Sequence, residues 1–267
     1  MSAPPILGVL IDLSGTVHIG GEAIPGAAQS IQRLRRAGLR VRFLTNTSNK
    51  CLASLLAELQ KVGINLDDDK DEILTSVLAT KKYLMRHNLH PFCLMEDTSD
   101  LEGISLSPPH DCVVVGLAPS KFQYSELNKA FRILLNHPKL VAVHRANYLR
   151  DVDGELSLGP GGFVSALETT ANCQAVVMGK PSKDFFESSL WSDIPPEQTC
   201  MIGDDILQDI IGAIEAGIQT TILVRTGKYR QGDEDTGPRS PTKVCNSIVE
   251  AVDFILETSF PTTTTVT

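Results

Sequence analysis

The chain has 267 residues, 42% of them hydrophobic and 21% charged, with a formal charge of −8. That is enough apolar material for a sizeable core, in one domain with a large insertion or in two domains, and an acidic chain without a basic stripe argues against a nucleic-acid partner. No apolar run approaches the roughly 20 residues of a membrane span, no signal-type stretch opens the chain, and six scattered cysteines without a Cys-x-x-Cys pair read as reduced, buried thiols, so a cytoplasmic protein is expected.

The first predicted element is a strand over 6–12, an apolar run that ends in Asp12-Leu13-Ser14-Gly15-Thr16. A carboxylate where a buried strand breaks into a glycine turn can be a nucleophile, a magnesium ligand or both, and an ordinary strand-to-turn junction looks the same. His18, in the hairpin that follows, reads as a packing or surface residue, with a substitute acid as the alternative. A helix over about 26–37 and a strand over 40–45 come next. Arg33, Arg35, Arg36, Arg40 and Arg42 flank their turn as a solvated face rather than a phosphate track. The strand ends in Thr45-Asn46-Thr47-Ser48, whose polar groups can donate to an anion or cap the helix predicted at about 49–61. A polar turn then runs from Gly63 to near Leu74.

From Val77 a second alternation begins. It has a helix at 78–84, strands at 91–95 and 112–117, a helix at 125–136, a strand at 140–144, a hairpin turning at Asp151-Val152-Asp153-Gly154, and a helix at about 162–170. Gly159-Pro160-Gly161-Gly162 is either a plain turn or a source of free amides for an anion. His144, Arg145, Asn147 and Tyr148 are candidate polar contacts on the same terms. The first sheet is then expected to resume with a strand Ala175–Gly179, whose exit carries Lys180 before Pro181, a proline suited to a first helical turn. A strand at 199–203 leads into Gly203-Asp204-Asp205 and Asp209, followed by a helix at 206–216 closed by Gly217, a strand at 220–224, a helix at about 246–257, and a disordered Thr-rich tail at 259–267. The clustered acids are costly unless a cation neutralises them; as first-turn residues they would also suit a helix dipole.

In a parallel α/β sheet, ligands bind outside the carboxyl ends of the strands. Asp12, Thr45, Lys180 and Asp204 all stand at such ends, which predicts one site. The fold class expected is α/β, a doubly wound parallel sheet built by residues 1–76 and 175–258, with a second α/β unit inserted at 77–174.

Taken in order, Asp12-x-Ser14-Gly15-Thr16, Thr45-Asn46, Lys180 and Gly203-Asp204-Asp205-x-x-x-Asp209 resemble the four motifs of the haloacid dehalogenase-like (HAD) superfamily of phosphohydrolases. The resemblance covers nearly the whole chain, and the long interval between Thr45 and Lys180 is similar to the branch with a large α/β cap between the second and third motifs. It implies a Rossmann-like core with an inserted cap that closes over the sheet and chooses the substrate. It further implies phosphoryl transfer to Asp12, giving an aspartyl-phosphate that water hydrolyses. The cofactor implied is Mg2+, held by Asp12, the Ser14 carbonyl and Asp204, with Asp205 and Asp209 orienting waters and ligands. Thr45, Asn46 and the backbone amides of Leu13 and Ser14 would hold phosphate oxygens, and Lys180 would balance charge on nucleophile and phosphate. The partner implied is a small phosphorylated substrate or phospho-amino acid, with no nucleic acid and no membrane; the branch leaves room for a homodimer.

Ser14 departs from the family pattern, in which most phosphatases carry a second Asp at that place to protonate the leaving group and later activate water. A serine hydroxyl ionises far above neutrality and cannot store that proton. General acid–base help contributes about 10²–10⁴-fold in rate, so its loss should weigh most on alkyl phosphates and least on phosphoramidates, pyrophosphate, acyl and aryl phosphates. The alternative from another class is a phosphate-binding regulatory module that does little chemistry. A dehalogenase would have no evident use for Asp204 and Asp209.

Overall fold

A computed structural model describes residues 4–61, 63–65, 72–150 and 155–260. They fall into two compact units, one within Met1–Leu44, Glu58–Ile73 and Phe186–Thr267, the other within Thr45–Ala57 and Leu74–Phe185. In chain order the elements are β1 (Gly8–Asp12), a small hairpin β2 (His18–Ile19) and β3 (Glu22–Ala23), α1 (Ala27–Arg36), β4 (Arg40–Thr45), α2 (Leu52–Lys61), β5 (Ile73–Thr75), α3 (Ser76–Arg86), β6 (Pro91–Leu94), β7 (Cys112–Val115) and α4 (Tyr124–Asn136). There follow β8 (Leu140–Ala142), β9 (Tyr148–Arg150), β10 (Leu156–Leu158), α5 (Gly161–Ala171), β11 (Ala175–Val177), α6 (Lys183–Ser189), β12 (Thr199–Gly203), a π-helical turn Ile206–Ile211 that runs into α7 (Gly212–Glu215), β13 (Thr220–Val224), β14 (Lys243–Cys245) and α8 (Ile248–Ser259).

The larger sheet has the order β14-β13-β12-β1-β4-β5. Its central strand, β1, runs parallel to β12 on one side, with Ile11 opposite Ile202, and to β4 on the other, with Asp12 opposite Leu44. Both β1 and β12 are buried along their whole length, as expected for parallel strands covered on two faces. The chain leaves β1 toward β4 and returns later on the opposite side at β12, so the carboxyl end of β1 is a topological switch point. Asp12 closes β1 and Asp204 follows β12, which sets both acids at that edge.

In α1, Ala27, Ile31 and Leu34 are buried at helical spacing. The arginines around its end are tied down one by one: Arg33 to Asp253 at 2.7 Å, Arg35 to both oxygens of Glu72 at 2.9 Å, and Arg40 to both oxygens of Asp193 at 2.6 and 2.8 Å. Arg42 donates to the Ser189 carbonyl and lies 4.8 Å over the Trp191 ring. These residues pin segments of one unit together, with the Arg33 and Arg40 side chains still 43% and 47% exposed.

The second unit is built on a four-stranded sheet of order β11-β8-β7-β6 whose pairs are all parallel. Every residue of β7 is buried, and alternation sends Cys112 and Val114 into a cluster with Val77, Leu84, Leu89 and Val141. Val113 and Val115 enter the opposite cluster with Ala130, Leu134, Val164 and Leu167. Helix α3 therefore covers one face, and α4 with α5 the other.

Two sequence expectations change. The strand at 175–179 was expected in the first sheet; Ala175–Val177 instead pairs in parallel with β8 at the edge of the second, Ala175 opposite Leu140. The reason is local: α5 lies immediately before it, and a β8-α5-β11 crossover returns the chain to the neighbouring position, with Val176 left 41% exposed at the edge. The helix expected at 206–216 opens with a π-helical turn rather than an α-helical one. Strands β9 and β10 pair antiparallel with Arg150 opposite Leu156, while the hairpin turn at 151–154, part of the polar turn after Gly63 (66–71) and the tail from 261 onward lie outside the described residues. Helix α8 runs to Ser259. Among the described residues no helix is long and apolar enough to cross a membrane.

Leu84 of α3 is fully buried and Leu135 of α4 is 60% exposed. Thermal or denaturant unfolding should therefore show a loss of about 2–5 kcal/mol for Leu84→Ala and under about 0.5 kcal/mol for Leu135→Ala. Similar losses for both would contradict the packing described.

Candidate active site

Asp12, Asp204 and Asp209 are all buried, and their carboxylates each offer an oxygen within 4.8 Å of the others. Asp12 is carried by the end of β1 and Asp204 by the first residue after β12. Asp209 arrives through the π-helical turn: the Asp209 N–H donates to the Asp205 carbonyl at 2.9 Å and the Ile210 N–H reaches the same carbonyl at 3.4 Å, the i to i+5 reach that defines a π turn. The Asp209 Oδ2 in turn accepts from the Asp205 N–H at 3.1 Å. Gly203 has no side chain, and a Cβ there would collide with Asp209.

Asp205 turns its carboxylate the other way. Its Oδ1 accepts from the Leu207 and Gln208 N–H groups at 3.1 and 3.0 Å, capping the π-helical turn. Its Oδ2 stands 3.6 Å from the Lys228 ammonium. Lys228 touches the cluster a second time, because its backbone N–H donates to Asp204 Oδ2 at 2.6 Å. That approach needs the glycines beside it: a Cβ on Gly15 or Gly227, both at positive φ, would fall on the Asp204 carboxylate. The Thr226 hydroxyl donates to the Gly15 carbonyl and fixes the two loops to each other.

Electrostatics follow the packing. Burial, and then the charges of Asp12 and Asp209, hold the Asp204 carboxyl well above the usual carboxylate range, with Lys228 pulling part of the way back. Burial alone would lower the Lys228 ammonium, but Asp205, Asp204, Asp12 and Asp209 outweigh it and raise it above the ordinary lysine value. Three buried hard oxygen donors, one of them strained toward neutrality, and a cradle of glycines around Asp204 fit a small divalent cation.

Thr45, Asn46 and Lys180 fall in the second unit. The Thr45 hydroxyl is buried and accepts from the Thr47 N–H at 3.1 Å. The Asn46 side chain pairs with the backbone of Lys180 at both ends, Nδ2 donating to its carbonyl at 3.0 Å and Oδ1 accepting from its N–H at 2.9 Å. Lys180 is 3% exposed, and a Cβ on Gly179 would strike the Asn46 amide. Ser48 and His144 form a buried pair, with Ser48 Oγ 3.0 Å from His144 Nε2 and accepting from the Leu117 N–H at 3.0 Å.

Of the other sequence candidates, Leu13 is buried and its carbonyl accepts from the Val17 and His18 N–H groups, while Ser14 is exposed at the turn. His18 bonds through Nδ1 to the Gly20 carbonyl at 3.0 Å inside its own hairpin. The amides of Gly159 and Gly161 are spent on the Asn147 and Ala146 carbonyls at 2.9 and 3.1 Å, which favours the plain-turn reading for these two residues. Arg145 is held by Glu168 at 2.9 and 2.8 Å. All six cysteines are free, and burial pushes the Cys93 and Cys112 thiols up to about 12, far from a reactive thiolate. Lys228 was not singled out from the sequence for a role in this site; the usable signal was its place in the loop after β13, the strand next to β12 at the same carboxyl edge.

Residues 9–102 match the haloacid dehalogenase-like hydrolase family and residues 177–251 the HAD-hydrolase-like family. The chain is 45% identical over 252 residues to haloacid dehalogenase-like hydrolase domain-containing protein 2 of Bos taurus, covering 93% of this chain and 95% of that one. It is 36% identical over 261 residues to the phospholysine phosphohistidine inorganic pyrophosphate phosphatase of Rattus norvegicus, covering 94% and 95%. Among solved structures, p-nitrophenyl phosphatase from Archaeoglobus fulgidus superposes with a TM-score of 0.84 at 25% identity, covering 94% of this chain and all 100% of that one.

Because the Asp204 pKa is raised on folding, its ionised form weakens the metal-free fold at neutral pH, and the penalty fades as pH falls through the raised value toward about 3.9. Asp204→Asn should therefore stabilise the metal-free protein near neutrality, with the gap to wild type closing as the pH is lowered. Melting curves across that range check this; a variant that is less stable near neutrality contradicts it.

Proposed function

Since the chain belongs to the haloacid dehalogenase-like hydrolases, we propose that it is a Mg2+-dependent phosphatase that works through an aspartyl-phosphate on Asp12. The observation that carries this reading is the convergence of the Asp12, Asp204 and Asp209 carboxylates at the switch point of a parallel sheet. In this reading an Asp12 carboxylate oxygen attacks phosphorus and the bond to the leaving group breaks. Water then attacks the same phosphorus, the bond to Asp12 breaks, and inorganic phosphate leaves with the carboxylate restored.

Asp12, the Ser14 carbonyl and Asp204 would hold the metal, with Asp209 close enough to ligate it or fix its waters. When bound, the ion offsets the repulsion between carboxylate and phosphate and polarises the phosphoryl oxygens. Asp205 positions the turn that delivers Asp209. Thr45 and the amides of Leu13 and Ser14 would bind phosphate oxygens, and Lys180 would supply a fixed positive charge. Asn46 is assigned a positioning role, because both ends of its amide hold the Lys180 backbone. The inserted unit, taken as 77–174 from the sequence, would act as a cap that excludes water and selects substrate.

Ser14 leaves that place without a titratable acid, and His18 is turned into its own hairpin. The substrates favoured are therefore small phosphorylated molecules with good leaving groups: phosphoramidates, pyrophosphate and aryl phosphates. The relative named phospholysine phosphohistidine inorganic pyrophosphate phosphatase supports this choice. Six free cysteines suit a cytoplasmic setting. A phosphate-binding module without chemistry would have no use for the intact acid cluster.

Phosphate release by wild type and Asp12→Asn, with and without Mg2+, tests the reading across pyrophosphate, a phosphohistidine mimic, p-nitrophenyl phosphate and an alkyl phosphate. Release should need both Asp12 and Mg2+, falling at least about 10³-fold in the variant; release that survives Asp12→Asn rules the mechanism out. Ser14→Asp should raise turnover of the alkyl ester by about 10–100-fold and leave pyrophosphate nearly unchanged, whereas equal gains on both would remove the leaving-group argument.

A further inference from the structure

Lys228 has no part in the chemistry above, yet it reaches two consecutive acids, Asp204 of the cluster and its neighbour Asp205, through two different atoms. Its backbone N–H holds Asp204 Oδ2 at 2.6 Å, and its ammonium stands 3.6 Å from Asp205 Oδ2. The side chain is 25% exposed and leans inward from the loop after β13. The glycine before it, Gly227, has no side chain to block the Asp204 contact. A solvated surface lysine would need none of this: the loop is shaped so that one residue reaches both neighbouring acids of the Gly203-Asp204-Asp205 segment.

We propose that the Lys228 ammonium is a built-in counter-cation beside the acid cluster, which pairs with Asp205 and offsets part of the cluster's charge in the metal-free protein, and against which a divalent ion must bind. Like charges repel, so a doubly charged ion entering beside a fixed ammonium binds more weakly than it would beside a neutral side chain. The same ammonium relieves repulsion among the carboxylates when the ion is absent. Lys228 thus lowers metal affinity and evens out the stability of the two forms. The cluster keeps its arrangement without metal and releases metal readily.

This inference rests on the divalent-metal reading of the cluster, and the test separates the two. The full-length chain, stripped of metal with a chelator, is titrated calorimetrically with MgCl2 and melted with and without Mg2+, as wild type, Lys228→Met, Lys228→Gln, Lys228→Arg and Asp204→Asn. Lys228→Met should bind Mg2+ about tenfold more tightly, the effect of removing one unit charge at the edge of the site. Its metal-free form should melt lower, and Mg2+ should raise its melting temperature by more than it raises that of wild type. Lys228→Arg, which keeps the charge, should stay within about twofold of wild type, and Asp204→Asn marks the response of a site missing a donor. Wild-type affinity or weaker in Lys228→Met overturns the proposal. If that variant fails to fold, the comparison of Lys228→Gln with Lys228→Arg decides, equal affinity in the two overturning it. A wild type that gives neither binding heat nor a Mg2+-dependent shift removes the metal reading, and this inference with it.

Discussion

Three carboxylates buried within reach of one another make a demand that the surrounding chain is arranged to meet. Ionised together in a poorly solvated place, Asp12, Asp204 and Asp209 repel; burial first, and that repulsion second, hold the Asp204 carboxyl above the usual carboxylate range. The backbone has been shaped to permit it. Gly15, Gly203 and Gly227 give up their side chains where the acids need the space, the π-helical turn brings Asp209 back to the end of β12, and Lys228 contributes a charge of opposite sign. Each of these features would be a small liability elsewhere; at the switch point of the sheet they serve one cluster.

The second unit solves a different problem by similar means. It places a lysine in a buried position, where an ammonium is costly to hold, and secures the backbone on which that lysine stands. Asn46 does this with a two-ended amide contact, much as a neighbouring strand would, and Gly179 leaves the room for it. Asn46 is thus spent on holding the Lys180 backbone still.

Much of this was legible in the sequence because strand termini announce themselves. An apolar run that stops at Asp12, and another that stops at Gly203-Asp204, locate the carboxyl edge without coordinates, and the alternation of elements gives the doubly wound class. What stayed hidden depended on contacts between distant residues. Ala175–Val177 reads as apolar whichever sheet it joins, and only its partner, β8, tells the two apart. The reach of Asp209 depends on a π turn that a helical periodicity does not distinguish from an α turn. Gly159 and Gly161 look like free donors until the carbonyls of residues 146 and 147 come opposite them. Lys228 lies in a polar loop whose composition is ordinary; its meaning comes from the strand that precedes it.

The pairing of Asn46 with Lys180 spans 134 residues of sequence. It ties the segment that enters the second unit to the segment about to leave it, so the two passages of the chain are closed on each other by a two-ended amide clasp before either continues. The stretch between its two halves also passes through Glu58–Ile73 of the first unit, so a chimera that exchanged the second unit's sheet would have to begin its exchange after β5 and still return the chain to the same two backbone groups of Lys180.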